Sequence, residues 1–136
     1  MKKFKFLEHT ADMKFQAYGK SLEEAFSNSA LALKETIAEK IKIKEKIKKK
    51  IKINAKDNEG LLYRFLEQFL FLLDSENFLF SKIKKIKIKD NKLEAEVYGD
   101  NASNYKFTNT VKAVTYNQMF VRKQGNKFII QVVLDV

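Results

Sequence analysis

Lysine and isoleucine alternate along two stretches of this chain, and that alternation constrains the fold more than any other feature. In residues 39–56 the isoleucines occupy odd positions and most of the lysines occupy even ones. Side chains of a β-strand alternate between two faces, so a period of two predicts strands with one apolar face and one basic face. A second stretch, residues 82–92, repeats the pattern. We therefore expect these stretches to form strands whose basic side faces solvent.

The second stretch also predicts a β-hairpin. Asp90-Asn91 separates it from residues 92–97, and both residue types tolerate the positive φ that a two-residue turn needs. Counting outward from this turn gives two apolar pairs on one face and two Lys–Glu pairs on the other: Ile88 with Leu93, Ile86 with Ala95, Lys87 with Glu94 and Lys85 with Glu96. Ile83 is out of phase with Ile86, which predicts a β-bulge near Lys84.

All of the net positive charge lies in the two lysine-rich stretches. The 136-residue chain has 27 Lys and Arg against 17 Asp and Glu, a formal charge of +10. Residues 39–56 carry +7 and residues 82–92 carry +5, which leaves −2 for the remainder. Such lysines form either a solvated outer surface or a surface that contacts RNA. Against RNA binding, the chain has only two Arg, and the lysine-rich stretches contain no Tyr or Phe on which bases could stack.

The composition excludes several kinds of site. The absence of cysteine excludes a disulfide framework, a thiolate zinc site and a cysteine nucleophile. A chain with no Pro and only four Gly has no Gly-rich phosphate loop, and any histidine-dependent site would need His9, the single histidine. The longest apolar run, residues 69–73, is too short to span a membrane, and the first residues do not resemble a signal peptide. The lack of cysteine fits a reducing compartment, and the absence of a membrane-spanning run predicts no membrane partner.

The remaining patterns predict a single α+β domain over residues 1–136. Ser21-Leu22-Glu23-Glu24 is typical of a capping box before an amphipathic helix over residues 22–38. Asp57 can cap a second helix to about Ser75, whose Leu and Phe residues, Phe71 included, predict the centre of the core. Further strands are expected near residues 3–6, 13–18, 118–123 and 127–134, and a short helix near residues 109–116. We expect a mostly antiparallel sheet packed against the two main helices and the short one.

Three polar features do not fit the core or surface pattern: Glu8-His9-Thr10-Ala11-Asp12, Lys112 within residues 111–116, and the final Asp135-Val136. Taken singly, each has an ordinary explanation, such as a turn aspartate or a solvated strand end. If Asp12 lies near Asp135 in space, their carboxylates and the terminal carboxylate of Val136 form an oxygen-rich set. Such a set suits Ca²⁺, Mg²⁺ or Mn²⁺ better than zinc or copper.

Five segments together resemble the archease family, in order and over nearly the whole chain: His9-Thr10-Ala11-Asp12, the helix start from Ser21 to Phe26, Leu72-Leu73-Asp74, Lys112-Ala113-Val114-Thr115-Tyr116 and Val133-Leu134-Asp135-Val136. The resemblance implies a cytoplasmic α+β protein that is not itself an enzyme. It implies the activator of the RtcB-type tRNA-splicing ligase, which joins an RNA 2′,3′-cyclic phosphate or 3′-phosphate end to a 5′-hydroxyl. The activator's implied role is to promote guanylylation of the ligase histidine by GTP, so that the ligase turns over repeatedly.

The resemblance also implies a metal site. Its ligands would be Asp12 and Asp135 together with Val136, which can contribute only through backbone or terminal carboxylate oxygens. Ca²⁺ is the cation expected first, with Mg²⁺ and Mn²⁺ as alternatives, and His9 would lie beside the ligands. The partner is then a protein that handles RNA, and direct RNA contact is expected to be indirect or weak.

Ligase activation is implied for Lys112 together with the two aspartates. Lys112 matches the lysine of the family's Lys-Ala-Val-Thr-Tyr-His motif. The chain departs from that motif at Asn117, where the family usually has histidine. Asparagine neither titrates nor acts as an ordinary imidazole ligand, so a proton or metal role is not expected at this position.

Two other functional classes remain open on the sequence. A lysine-rich RNA-binding or chaperone-like adaptor would use the basic strand faces, and its RNA affinity would fall steeply with salt. A metal-dependent hydrolase would have the carboxylates, but the chain lacks a second histidine and any evident pair of base and nucleophile.

Overall fold

The computed structural model describes residues 2–8, 11–107 and 109–136, which form an α+β fold as expected. Its two helices are α1 (Leu22–Ala38) and α2 (Asn58–Glu76). Its strands are β1 (Phe4–Leu7), β2 (Met13–Gly19), β3 (Ile47–Asn54), β4 (Phe78–Lys89), β5 (Lys92–Asn101), β6 (Ala113–Gln124) and β7 (Lys127–Asp135). A single 3-10 turn, Ala102–Asn104, follows β5 in this described part of the chain.

The strands divide into two antiparallel sheets. Sheet A has the strand order β1-β2-β7-β6, and sheet B has the order β3-β5-β4. In sheet A the last strand, β7, lies between β2 and β6 and pairs with both. Neighbours in this sheet therefore come from opposite ends of the sequence, which brings the start of β2 and the end of β7 together.

Both helices contact strands of both sheets, and the core lies between these layers. Leu61, Leu62, Phe65 and Leu66 of α2 are fully buried, which confirms α2 as a central element of the core. The prediction that Phe71 is also a core residue is wrong, because its side chain is 52% exposed on the flank of α2 that faces solvent.

Local side-chain bonds begin both helices where the sequence predicts. The Ser21 hydroxyl accepts a hydrogen bond from the Glu24 amide (3.1 Å), and the Asp57 carboxylate accepts one from the Gly60 amide (2.7 Å). The Glu24 carboxylate reaches back to the amide of Lys20 (2.7 Å), one residue before the position expected for a capping box. The first two bonds satisfy backbone donors that the helices leave unpaired, and the third satisfies an amide just before α1.

Sheet B confirms the hairpin prediction. β4 and β5 pair in the register counted from Asp90-Asn91, and both turn residues have positive φ, 53° and 59°. The predicted bulge is present, because the pairing shifts between Ile83 and Lys85. A second shift, between Phe80 and Lys82, was not expected.

The predicted short helix at residues 109–116 is wrong. Residues 113–116 instead begin β6, where Val114 pairs with Leu134 and Thr115 pairs with Val133. Two of these residues are β-branched, and the Thr115 hydroxyl donates to the Val133 carbonyl (2.9 Å), so pairing with β7 prevails over the helical spacing. β6 therefore begins five residues before the expected strand start at Gln118.

The first lysine-rich stretch is only partly a strand. Residues 41–46 have no assigned strand, and the ladder with β5 begins at Ile47. The preceding segment is held by separate hydrogen bonds instead of a continuous ladder. The Lys44 amide donates to the Tyr105 hydroxyl (2.9 Å), and the Lys46 amide donates to the Gly99 carbonyl (2.9 Å). Within the described residues, neither helix is long and apolar enough to cross a membrane.

Candidate functional site

One end of sheet A collects the residues that the sequence singled out. Met13 pairs with Leu134 at the start of β2, so Asp12 and Asp135 are the next positions outward on adjacent strands. Facing residues of antiparallel strands have Cα atoms about 5 Å apart. On its other side Asp135 pairs with Ala113, the first residue of β6. We call this region, formed by Asp12, Lys112, Asp135 and Val136, the acidic end.

The Asp135 carboxylate is accessible because it lies at the end of β7, after a run of buried residues. Leu134 is fully buried against the core, whereas the next residue, Asp135, is exposed. Asp12 is half-buried, and the Val136 side chain is 38% exposed. The acidic end is therefore a surface feature that directly follows the buried part of β7.

Lys112 joins this end through the backbone. Its amide donates a short hydrogen bond to the Asp135 carbonyl (2.7 Å), and its side chain is exposed. The bond extends the β6–β7 ladder by one residue beyond the pair formed by Ala113 and Asp135. A cationic side chain thus begins immediately beside the two aspartates.

A wide bulge follows in β6 and was not predicted. Thr115 pairs with Val133 and Phe120 pairs with Gln131, so four β6 residues lie opposite a single β7 residue. Gln118, within this bulge, has a positive φ of 56°. Asn117 is exposed in the same segment, and its backbone amide donates to the Thr115 hydroxyl (3.3 Å).

The bulge is held by side chains from three other elements. The Gln131 amide group donates to the Gln118 carbonyl (2.9 Å), and the Lys14 ammonium donates to the Gln118 side-chain oxygen (2.8 Å). On the helix side, the Glu59 carboxylate of α2 accepts a bond from the Val121 amide (3.2 Å). These bonds join residues distant in sequence, so no local pattern could have revealed them.

Tyr116 of the bulge stacks on Tyr63 of α2. Their ring centroids are 4.3 Å apart and the rings are nearly parallel, at 6°. Tyr116 is nevertheless 58% exposed, so it presents one aromatic face four residues after Lys112. Burial, followed by the nearby Glu67 carboxylate, raises the pKa of Tyr63 above its ordinary value of 10.0.

The expected metal ligands at the acidic end, from Asp12, Asp135 and Val136, are all oxygen atoms. Among the described residues, no three His, Cys, Asp or Glu side chains cluster closely enough to hold a metal ion. The expected site has only two side-chain carboxylates and would complete its ligands with a carboxylate or main-chain oxygen of Val136. This donor set fits a hard cation such as Ca²⁺. His9, expected beside the ligands, lies outside the described residues.

Comparison with known proteins identifies the family of this chain. Residues 4–136 match the Archease protein family (MTH1598/TM1083). The chain is 40% identical to "Protein archease" of Sulfurisphaera tokodaii and 41% identical to that of Saccharolobus islandicus, with full coverage of every chain.

Two solved structures share the fold. The solution structure of protein 1598 of Methanobacterium thermoautotrophicum has a TM-score of 0.83 at 36% identity, with both chains fully covered. An archease of Thermotoga maritima, described as a "possible chaperone", has a TM-score of 0.67 at 22% identity, covering 96% of this chain and 94% of that one. The family match over residues 4–136 and the full-length identities show that this chain is a member of the archease family.

Proposed function

We propose that this protein activates an RtcB-type RNA ligase in the cytoplasm by presenting the acidic end to it. The observation that carries the proposal is that three residues distant in the sequence lie at one end of sheet A. Asp12, Lys112 and Asp135 come from three separate segments, and the pairing of β2, β7 and β6 brings them to one exposed end of sheet A. These are the residues that the family resemblance implies for activation.

The acidic end would hold a divalent cation, for which Ca²⁺ is the first candidate. Asp12 and Asp135 would supply carboxylate oxygens, and Val136 would supply a main-chain or terminal oxygen. A bound cation would place a positive charge on this surface, where it could interact with phosphates or carboxylates of the ligase complex. In this proposal the bond-forming chemistry belongs to the ligase, and this chain supplies no catalytic residue.

The protein's own residues would position this surface. Leu134 and Val114 are buried on either side of the β6–β7 pairing and fix the strand ends. Lys112, fixed through its backbone bond to Asp135, would offer a point charge to an anionic group of the ligase or its nucleotide. Asp135 lies on a packed strand, where side chains are held more accurately than on loops, which suits a surface that presents charges to a partner.

The test is ligase turnover with RNA substrate in large excess over ligase. Addition of this protein should convert the ligase from a single round of joining to repeated rounds, with faster guanylylation by GTP. Asp135→Asn or Lys112→Ala should lower that stimulation at least about tenfold, since each removes a charge-assisted contact. Unstimulated turnover with the unaltered protein would overturn the proposal.

The chain offers matched controls for both variants. Asp90→Asn removes an exposed carboxylate from the β4–β5 turn, and asparagine tolerates the positive φ of that position. Lys40→Ala removes an exposed lysine after α1. Both controls should stimulate the ligase as the unaltered protein does. Equal losses in variants and controls would show that charge in general, rather than the acidic end, affects the ligase.

Calcium binding tests the cation separately from the ligase. Calorimetric titration of CaCl₂ into the protein alone should show binding that Asp135→Asn weakens at least about tenfold and Asp90→Asn leaves unchanged. Indistinguishable titrations of these two variants would place the cation elsewhere or remove it from the proposal.

A further inference from the structure

The outer face of sheet B is a nearly continuous lysine surface. The alternation that buries isoleucine against the helices turns lysine outward on all three strands. Nine lysines and two glutamates lie on this side, and we call it the basic face: Lys48, Lys50 and Lys52 of β3, Lys82, Lys84, Lys85, Lys87 and Lys89 of β4, and Lys92, Glu94 and Glu96 of β5. A shallow groove of about 690 Å³ follows its middle.

The two glutamates organise part of this face. Glu96 bonds Lys48 (2.9 Å) and lies 3.9 Å from Lys85, and Glu94 lies 3.4 Å from Lys52. The hydrogen bond from Lys48 lowers the pKa of Glu96, and the same bond raises the pKa of Lys48, so both remain charged at neutral pH. The central strand thus pairs with two lysines of the β3 column and one lysine of the β4 column.

Most of the positive charge is left over after these pairs. Nine lysines face two glutamates, and Lys89 pairs directly across the hairpin with Lys92. Like charges opposite each other destabilise a sheet, so this arrangement carries a cost that an anionic ligand would relieve. Along each strand, lysines two residues apart repeat about every 6.7 Å, which suits a ligand with regularly spaced negative charge.

The chemistry of the face favours a nucleic-acid backbone over a protein or a lipid. Protein interfaces are enriched in aromatic residues, Met and Arg and are depleted in Lys, the opposite of this surface. None of the nine lysines is accompanied by an outward apolar side chain that could enter a bilayer; the aromatic residue here, Tyr98, is half-buried, with the Lys84 ammonium 5.9 Å from its ring centroid. Lysines acting as point charges are typical of contacts to phosphate.

We propose that the basic face binds the phosphate backbone of single-stranded RNA, weakly and without reading its sequence. The RNA would lie along the groove between the lysines of β3 and the lysines of β4. Its phosphates would alternate between these two lysine columns. The preference for RNA over DNA rests on the proposed function, whereas phosphate binding by this face does not.

Binding of a fluorescein-labelled oligouridylate, followed by anisotropy in the absence of ligase and added calcium, tests the proposal. Affinity should fall steeply with salt. Lys50→Gln combined with Lys87→Gln should weaken binding about tenfold at low salt and reduce the slope of log K against log salt by about 1.4, since each single-strand contact contributes about 0.7. Neither lysine takes part in a close ion pair in the described structure, so the change should leave the fold intact.

The matched control changes the same charge on other elements. Lys20 precedes α1 and Lys123 belongs to sheet A, and both are exposed. Lys20→Gln combined with Lys123→Gln should bind the oligouridylate as the unaltered protein does. Equal weakening in both double variants would attribute binding to net charge and overturn the assignment to this face.

Two further outcomes would also overturn the proposal. Absence of oligouridylate binding at low salt would leave the lysines a solvated surface. Binding to phosphatidylserine vesicles but not to the oligouridylate would make the partner an anionic membrane. Because ligase is absent from every arm, these results leave the ligase-activation proposal untouched.

Discussion

Among the described residues, Asp100 is the one buried carboxylate. It lies in β5 at 3% exposure and accepts hydrogen bonds from the Tyr105 hydroxyl (2.8 Å) and the Asn101 amide (2.8 Å). The bond from Tyr105 is the largest influence that holds the pKa of Asp100 below its ordinary value of 3.8. Tyr105 in turn accepts from the Lys44 amide, so this pair fastens the segment before β3 to the segment after β5.

Tyr105→Phe should therefore lower the thermal midpoint by several degrees at neutral pH, because it removes one of the hydrogen bonds to a buried carboxylate and the hydroxyl that accepts from the Lys44 amide. A carboxyl whose pKa is lowered by folding stabilises the protein above its unfolded pKa. That stabilisation disappears as the pH falls through the lower folded pKa. Thermal unfolding of both proteins between neutral pH and about pH 3 should show the difference shrinking below the ordinary pKa of 3.8. A difference independent of pH would contradict the assigned role of Asp100.

Contacts between residues close in the sequence were predictable, and contacts between distant ones were not. Ser21 and Asp57 cap their helices because the partner amide is three residues away, a spacing visible in the sequence. The stack of Tyr63 on Tyr116 and the bond from Lys14 to Gln118 have no such spacing. They depend on the register of β6, which is itself set by its pairing with β7.

Close approach of β4 and β5 constrains sheet B at the level of elements. Gly99 pairs with Phe80 beside the unexpected register shift. A Cβ atom at Gly99 would overlap the Leu79 carbonyl oxygen and lie 2.8 Å from the Phe78 ring. Backbone cannot yield as a flexible side chain can, so the two strands have room only for glycine here.

Gly99→Ala should lower the free energy of unfolding by about 1–3 kcal/mol through this overlap. Gly125→Ala is the comparison, since that turn position is open but has φ of 59°, and it should cost about 1 kcal/mol from backbone strain alone. Urea unfolding of both variants measures the two values. A smaller loss at Gly99 than at Gly125 would mean that the strands separate easily at the shift.

Elements whose pattern matched their surroundings were predicted well. The bounds of α1 and the β4–β5 register from Lys85 to the turn follow from periodicity and turn chemistry within one segment. The helix predicted for residues 109–116 was wrong because the helical spacing was considered without the strand that pairs with these residues. The strand predicted for residues 41–46 was wrong because an alternating pattern does not supply a neighbouring strand. The division into two sheets is also beyond any local pattern.

The whole molecule separates its two charged surfaces onto different sheets. The acidic end belongs to sheet A, and the basic face belongs to sheet B, with both helices packed between strands of the two. The sequence already indicated this separation, since the charge of the two lysine-rich stretches exceeds the net charge of the chain. The sequence could not indicate that β3 pairs with β5 in sheet B, or that β7 lies between β2 and β6 in sheet A.

Substitutions at the two surfaces should act independently, because additivity holds for distant sites without shared partners. Asp135→Asn should leave oligouridylate binding unchanged, and the double variant at Lys50 and Lys87 should leave calcium binding unchanged. Measuring both affinities on the unaltered protein, each variant and their combination closes the cycle. Coupling larger than about 0.5 kcal/mol would show that the sheets communicate through the core.

The strand order of sheet A has a consequence for synthesis. β2 ends at Gly19 and its inner neighbour, β7, begins at Lys127, more than one hundred residues later. At about 5–20 residues per second, β2 is translated about 5–20 s before that neighbour exists. All three strands of sheet B are complete before β7 is made, so sheet B can form while one edge of β2 still lacks its partner. Closure of sheet A therefore has to wait for β7, and the pairing of β7 with β2 assembles the acidic end in the same step.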